Sequence, residues 1–242
     1  MNIILNGAKG RMGRIVDAAA AAGGHSVVAR VDFGYAGGEG LRTLDEYQGP
    51  ADVVIDFSNH AATAQVVDYC TKRGLPVVVA TTGQTEEELA LIDGAAKTVP
   101  VFLSANMSLG VALLADLAKK AAAVFPDADI EIIEKHHNQK LDVPSGTALL
   151  LARRIKEARP AAEFVIGRHE NGKRTKAEIG IHSLRLGNEV GVHEIIIATG
   201  SETITLKHEA ENRSLFAQGA LAAAAFILGR APGMYDMRSI IE

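Results

Sequence analysis

Short β-branched runs alternate with longer amphipathic stretches over roughly the first hundred residues. NIIL, RIVDAAAAA, HSVVARV, ADVVIDF, AATAQVVDYCTKRG, PVVVATT, a Glu-rich segment and VPVFLSA follow one another. Runs of this length and type predict strands, and the longer periodic stretches between them predict helices. The order therefore predicts crossover units on a parallel sheet. VVID and VVVA lack polar alternation, as strands covered on both faces do. The expected fold is α/β, with a Rossmann-like doubly wound parallel sheet.

From about Asn106 the pattern changes. LGVALLADLAKKAAAV predicts a helix stopping at Pro126, DIEIIEKHH a strand, and SGTALLLARRIKEA a second helix ending before Pro160. AEIGIHSLRLG, VGVHEIIIATG and ETITLKHEA then alternate in part, with Gly-Asn or Gly-Ser turns between them, and predict a mostly antiparallel sheet. LFAQGALAAAAFILG returns to an Ala-rich helical pattern that packs against another layer. Residues 1–106 with 214–242 are expected to form one domain, and 107–213 a second, α+β domain. Arg213, Phe216 and Gly219 lie where the chain passes back, as either a hinge or a plain junction.

Composition narrows the partners. The 242 residues are 48% hydrophobic, enough to fill a core, and carry a net charge of −4, which offers no basic field to nucleic acid. The single cysteine, Cys70, cannot form an internal disulfide and is expected as a buried structural thiol. No apolar run reaches the length of a membrane span, and the start of the chain shows no signal-peptide pattern, so a soluble cytoplasmic protein is expected. Long strands in the second domain leave faces and edges to cover, which points to a homo-oligomer.

NIILNGAKGRMG places Gly7, Gly10 and Gly13 directly after the first strand and at the opening of the first helix. A glycine turn there lets the backbone approach a pyrophosphate, while the helix N-terminus favours its charge. Asp32 ends the second strand, where an acidic residue takes the ribose hydroxyls of a dinucleotide and repels a 2′-phosphate. Lys9 and Arg11 supply opposing positive charge, so NADH and NADPH are both expected, with a modest NADH preference. Phe57 and Ser58, Ala80 to Gly83, and Ser104 to Met107 form turns at the carboxyl ends of later strands, where open α/β sheets bind ligands.

The run EKHHNQKLDVPSGTAL, Glu134 to Leu149, puts two histidines, a lysine and a Ser-Gly-Thr turn just ahead of a helical pattern. Imidazoles titrate near neutral pH, lysine carries a compact positive charge, and a helix start presents N–H groups to an anion. Together they point to an acidic small molecule that is both held and protonated; the bland alternative is a polar loop with a helix cap at Ser145. His25, His60, His169, His182, His193 and His208 are scattered and are read as structural or surface groups. No spacing among the histidines and Cys70 makes a metal site, and no metal is expected.

With GAKGRMG, DFS, ATTG, SANMSLG, EKHHNQKLDVPSGTAL and GMYDM in order, nearly the whole chain resembles the dihydrodipicolinate reductase family of lysine and diaminopimelate biosynthesis. The E-x-H-H-x-x-K-x-D-x-P-S-G-T run is the most specific part. The resemblance implies a nucleotide domain, an inserted substrate and tetramerisation domain giving a homotetramer, and reduction of a cyclic unsaturated imine dicarboxylate by NADH or NADPH. It implies Gly7, Gly10, Arg11, Met12 and Gly13 as the phosphate turn and Asp32 as the ribose contact. Ala80, Thr81, Thr82, Gly83, Ser104, Asn106 and Met107 would border the nicotinamide. His136 would be the acid or base, His137 and Lys140 substrate contacts, and Ser145, Gly146 and Thr147 a carboxylate cradle. Ala80 stands for a frequent glycine and Ser104-Ala105 for an Ala-Pro pair, which leaves loop contacts open. Whether His136 or Lys140 delivers the proton is not decided by the sequence. A dehydrogenase for another amino-acid substrate on the same cofactor fold and a non-catalytic nucleotide sensor are the competing readings.

Overall fold

The computed structural model describes residues 1–36 and 38–242. They divide into two compact units, Met1–Ser108 with Arg213–Glu242, and Leu109–Asn212.

The first unit runs β1 (Asn2–Asn6), α1 (Arg11–Ala22), β2 (Ser26–Val31), β3 (Val53–Asp56), α2 (Thr63–Arg73), β4 (Val77–Val79), α3 (Glu86–Ala95) and β5 (Pro100–Leu103). The second unit contributes α4 (Leu109–Val124), β6 (Asp129–His136), α5 (Gly146–Ala158), β7 (Glu163–Ile166), β8 (Glu178–Arg185), β9 (Gly191–Ala198) and β10 (Thr203–Ala210). The chain then returns to the first unit as α6 (Ser214–Ile227), β11 (Gly233–Tyr235) and α7 (Arg238–Ile241).

The six strands of the first unit lie in the order β11-β5-β4-β3-β1-β2 and pair in parallel throughout. VVID and VVV are buried at every position, as two-sided cover requires. From β1 the chain steps outward to β2, then crosses back to β3 on the opposite side, so the carboxyl ends of β1 and β3 flank the switch point. Helix ends follow local chemistry. Thr85 and Glu88 form a capping box on α3, and Gly74 ends α2 in the left-handed conformation at φ 64°. Cys70 is fully buried, and burial raises its thiol pKa. Within α6, Gly219 abuts the main chain at Met107: a Cβ at 219 would lie 1.6 Å from the Met107 carbonyl oxygen. The glycine at this junction therefore serves close packing inside the first unit.

The second unit's sheet is mixed, in the order β10-β9-β6-β8-β7. The expected antiparallel pairing holds for β9 with both its neighbours, whereas β6 with β8 and β8 with β7 are parallel. Connections explain the split: α5 carries the chain over from β6, while short turns join β8 to β9 and β9 to β10. β7 and β11 are edge strands of four and three residues, too short to stand out as hydrophobic runs. No helix among the described residues is long and apolar enough to cross a membrane.

One face of this sheet positions the site. β6 alternates strictly, burying Ile130, Ile132, Glu134 and His136 on one side. The same face carries Ile179, Ile181, Ser183 and Arg185 on β8, Ile197, Ile195 and His193 on β9, and Ile204, Leu206 and His208 on β10. Its isoleucine end packs with Leu114, Ala118 and Ala122 of α4 and Ala148, Leu151 and Ile155 of α5. At the other end each strand turns polar. Register aligns Ser183, Glu134, His193 and His208 in one cross-strand row, with His136 opposite Arg185 in the next.

Two consequences are measurable. Gly219→Ala forces backbone apart at Met107, and overpacking of this kind costs about 1–3 kcal/mol, read as a lower denaturant midpoint with an unchanged slope. His193 is 3% exposed; burial, with His136 beside it, lowers its pKa from 6.5 to about 3. Between those values the unfolded chain binds a proton that the folded chain refuses, so this histidine makes stability fall as pH drops from 6.5 toward 3. His193→Gln is expected to flatten stability against pH between about 6.5 and 5, above most carboxylate titration, in urea unfolding series.

Candidate active site

The glycine turn is built by contact. Gly7 has φ +80°, and a Cβ there would sit 2.4 Å from the Phe57 carbonyl oxygen, across the β1/β3 switch point. A Cβ on Gly13 would lie 2.1 Å from the Gly7 oxygen, so the first turn of α1 lies directly on the loop. α1 begins at Arg11 behind Gly10 with no side-chain cap and no acidic residue in its first turn. Main chain replaces side chain along this rim, and the helix start is left to an external anion. These residues fit the pyrophosphate of a dinucleotide. Asp32 closes the other side: its carboxylate accepts the Lys9 N–H at 3.0 Å and the Gly34 N–H at 2.8 Å. The Lys9 ammonium donates to the Gly34 carbonyl at 2.6 Å and lies over the Tyr35 ring, 5.6 Å from its centre.

The strand-end turns divide by role. Ser58 donates its hydroxyl at 2.6 Å to Asp56, a carboxylate 1% exposed at the end of β3. Asn6 donates to the same oxygen at 2.8 Å and Thr81 to the other at 2.7 Å, so one buried group ties the ends of β1, β3 and β4. Burial raises the Asp56 pKa, against the lowering effect of these hydrogen bonds. Ala80 and Thr81 are buried, Thr82 is exposed, and Gly83 turns with φ +90°. The Ser104 hydroxyl donates to the Asn106 carbonyl at 2.7 Å, and the Asn106 side chain accepts the Ser108 N–H at 2.8 Å. Met107 is 2% exposed, and its carbonyl oxygen lies against Gly219.

In the second unit the residues of the EKHH run gather around Glu134, which has no exposed side-chain surface. Arg185 grips its carboxylate bidentately, Nη1 to Oε2 at 2.9 Å and Nη2 to Oε1 at 2.8 Å. His136 Nδ1 lies 2.5 Å from Oε2, and the Ser145 N–H donates to Oε1 at 3.1 Å. Burial alone would raise the Glu134 pKa; the hydrogen bonds from His136 and Arg185 outweigh it and hold the group ionised, far below the ordinary range. Across the ring from Nδ1 lies the Nε2 edge of His136. That edge faces Gly191, where a Cβ would come within 3.1 Å.

Ser145 caps α5, its hydroxyl accepting the Ala148 N–H at 3.1 Å and lying 3.1 Å from His193 Nε2. Space beside Gly146 is open, so the helix start is approachable. His193 packs edge-on against His136, ring centres 5.2 Å apart, and its Nδ1 is buried with no hydrogen-bond partner. Lys140 pairs with Asp142 at 2.9 Å, and the Asp142 carbonyl accepts from Arg185 at 2.8 Å. The His137 N–H donates to the Glu189 carbonyl at 2.8 Å, which fixes its main chain beside the β8–β9 turn. Thus Glu134 and Arg185 gather His136, Lys140 and the Ser145 turn into one neighbourhood.

Glu134, Arg185 and Asp56 join these clusters without having been assigned a part from the sequence, and His193, read there as a structural or surface group, is buried against His136. His193 and Arg185 lie far along the chain from His136; the available signal was the period-two alternation that puts each on the polar end of a core-facing stripe. Among the described residues no group of His, Cys, Asp and Glu is placed to hold a metal ion.

Comparison with known proteins gives this geometry a family. The sequence family described as "Dihydrodipicolinate reductase, N-terminus" matches residues 1–107, and "Dihydrodipicolinate reductase, C-terminus" matches residues 110–241. A protein of Caldanaerobacter subterraneus subsp. tengcongensis named 4-hydroxy-tetrahydrodipicolinate reductase is 44% identical, over 100% of this chain and 98% of its own. A protein of that name from Clostridium tetani is 45% identical, over 100% and 97%. Among solved structures, a dipicolinate-bound dihydrodipicolinate reductase from Paenisporosarcina sp. TG-14 superposes with a TM-score of 0.82 at 26% identity, over 98% of this chain and 97% of that one. An engineered D-amino acid dehydrogenase bound to NADP+ matches at a TM-score of 0.58 and 15% identity, covering 98% and 93%, which is a likeness of fold alone. Matched in both halves, and joined to full-length relatives at this identity, the chain belongs to the dihydrodipicolinate reductase family.

Proposed function

We propose that this chain reduces the cyclic, unsaturated imine dicarboxylate derived from 4-hydroxy-tetrahydrodipicolinate to tetrahydrodipicolinate, using NADH or NADPH, within lysine and diaminopimelate biosynthesis. The observation that carries this reading is the single buried carboxylate of Glu134 that binds both the His136 ring and the N–H at the Ser145 helix start, in a chain of this family. When bound, the dinucleotide supplies the hydride. Gly7, Gly10, Arg11, Met12 and Gly13 hold its phosphates and Asp32 its ribose hydroxyls. Lys9, Phe57, Ser58, Ala80, Thr81, Thr82, Gly83, Ser104, Asn106 and Met107 complete the rim.

The remaining groups act on a doubly anionic ring. His137, Lys140 and the backbone N–H groups of Gly146 and Thr147 hold its carboxylates, and Ser145 orders the turn that presents them. His136, through Nε2, and Lys140, through its ammonium, are the groups able to give a proton where negative charge develops. The relative that carries dipicolinate, an aromatic dicarboxylate, supports a site shaped for two carboxylates on one ring. The sheet face opposite α4 and α5 bears Ile133 and Ile196, half buried, and Leu184, exposed, which supports self-association as a homotetramer. A cytoplasmic location goes with this reading.

The test is steady-state oxidation of NADH and NADPH coupled to freshly generated substrate. The expected outcome is turnover with both, kcat/KM being modestly higher for NADH because Asp32 repels a 2′-phosphate, and competitive inhibition by pyridine-2,6-dicarboxylate. Turnover of an amino-acid substrate instead, without that inhibition, overturns the reading. His136→Gln is expected to lower kcat by roughly 10²- to 10⁴-fold with KM nearly kept, while Lys140→Ala lowers both kcat and affinity.

A further inference from the structure

Glu134 lies in the middle strand of a sheet, fully buried, with four donors on two oxygens. An ion pair with Arg185 alone would explain a structural carboxylate. It would not explain why Oε2 is shared with a ring nitrogen at 2.5 Å, or why the opposite edge of that ring faces a residue without a side chain. Gly191 is in a strand and has no positive φ, so its backbone does not require glycine. A Cβ there would crowd His136 Nε2 at 3.1 Å, so the ring would have to give by a few tenths of an ångström.

We propose that Glu134, gripped by Arg185, is a positioning residue for His136: it fixes the imidazole with Nδ1–H on the carboxylate and Nε2 directed at the edge kept clear by Gly191. This inference rests on the reductase reading for its kinetic meaning, though the ring geometry stands apart from it. Proton transfer at this site then runs through one nitrogen. When Nε2–H gives its proton, the bonding pair stays on the ring as the Nε2 lone pair, Nδ1 keeps its hydrogen, and the imidazolium beside Glu134 becomes neutral. Taking up a proton at Nε2 restores the ion pair. Arg185 bears on both candidate donors, on His136 through Glu134 and on Lys140 through the Asp142 carbonyl. The charged and titratable groups around the ring are Glu134 on its own strand, Arg185 on β8, His193 on β9 with His208 of β10 behind it, and Lys140 and Asp142 from the loop before α5.

The experiment begins with the unaltered protein. Long-range ¹H–¹⁵N correlations on ¹⁵N-histidine-labelled chain, followed over pH, are expected to show neutral His136 as the Nδ1–H tautomer; an Nε2–H tautomer overturns the proposal. Glu134→Gln is then expected to lower kcat by roughly 10- to 100-fold, with KM for the dicarboxylate little changed. It should also move the His136-dependent limb of the pH–rate profile to lower pH, because the imidazolium loses its anion. In a His136→Gln background the same change is expected to cost almost nothing, since the two act as a unit. An equal loss in both backgrounds means that Glu134 acts only on the sheet, and the idea fails. Because Glu134→Gln strands the partly buried Arg185 charge, Glu134→Gln with Arg185→Gln is the companion variant should the single one not fold; it is expected to reproduce the kinetic loss, and unchanged kcat in it overturns the proposal. If the unaltered protein turns over no dicarboxylate, the reductase reading fails while the tautomer result still decides the positioning.

Discussion

A negative charge sits where a hydrophobic core would ordinarily continue. The core-facing stripe of β6 passes from Ile130 and Ile132 to Glu134 without leaving the packed face of the sheet. A carboxylate taken out of water is tolerated only when its oxygens are saturated by good donors and its charge is met. Arg185, His136 and the Ser145 N–H together do this, and each is thereby held in place. The constraint works in both directions: the charge stays buried because of the groups around it, and the strand β8, the helix α5 and the His136 ring are ordered by the charge.

The first unit uses a related device with a different balance. Asp56 ends β3 inside the switch point, bound by Asn6, Ser58 and Thr81, with no cation among these partners. Neutral donors satisfy its oxygens without opposing its charge, so burial raises its pKa where Arg185 and His136 lower that of Glu134. One buried carboxyl locks strand ends beneath a ligand crevice, and the other presents a ring. In both units the groups expected to meet ligand lie on rigid elements or on turns pinned to them.

The doubly wound sheet was legible because VVID, VVVA and their neighbours are unbroken apolar runs between amphipathic stretches. Such runs have few other places to go. The helices α4 and α5 were legible from Pro126, Pro160 and the Ser145 cap. β7 and β11 were not, because an edge strand of three or four residues adds little periodic signal, and the parallel pairing of β6 with β8 depends on long-range register that no local pattern carries. Around Glu134, whose own part the contiguous run did not reveal, the structure brings together residues from that run and residues supplied across strands. His136 and Ser145 stand in one run, whereas Arg185 and His193 join them only through hydrogen-bonded register. Ser58 was named for its place at a strand end, and what no local pattern carries is that its hydroxyl turns inward to Asp56.

The cross-strand row of Ser183, Glu134, His193 and His208 has a further consequence for assembly of the sheet. Side chains alternate with period two, so a one-residue slip of β6 would carry Ile130, Ile132, Glu134 and His136 to the outer face together and turn Lys135 and Glu131 inward against the apolar helices. A misaligned chain would thus lose the Glu134 cluster and its apolar burial in the same step. Correct alignment is favoured by the buried polar row as well as by the isoleucines, so the candidate site helps to proofread its own scaffold.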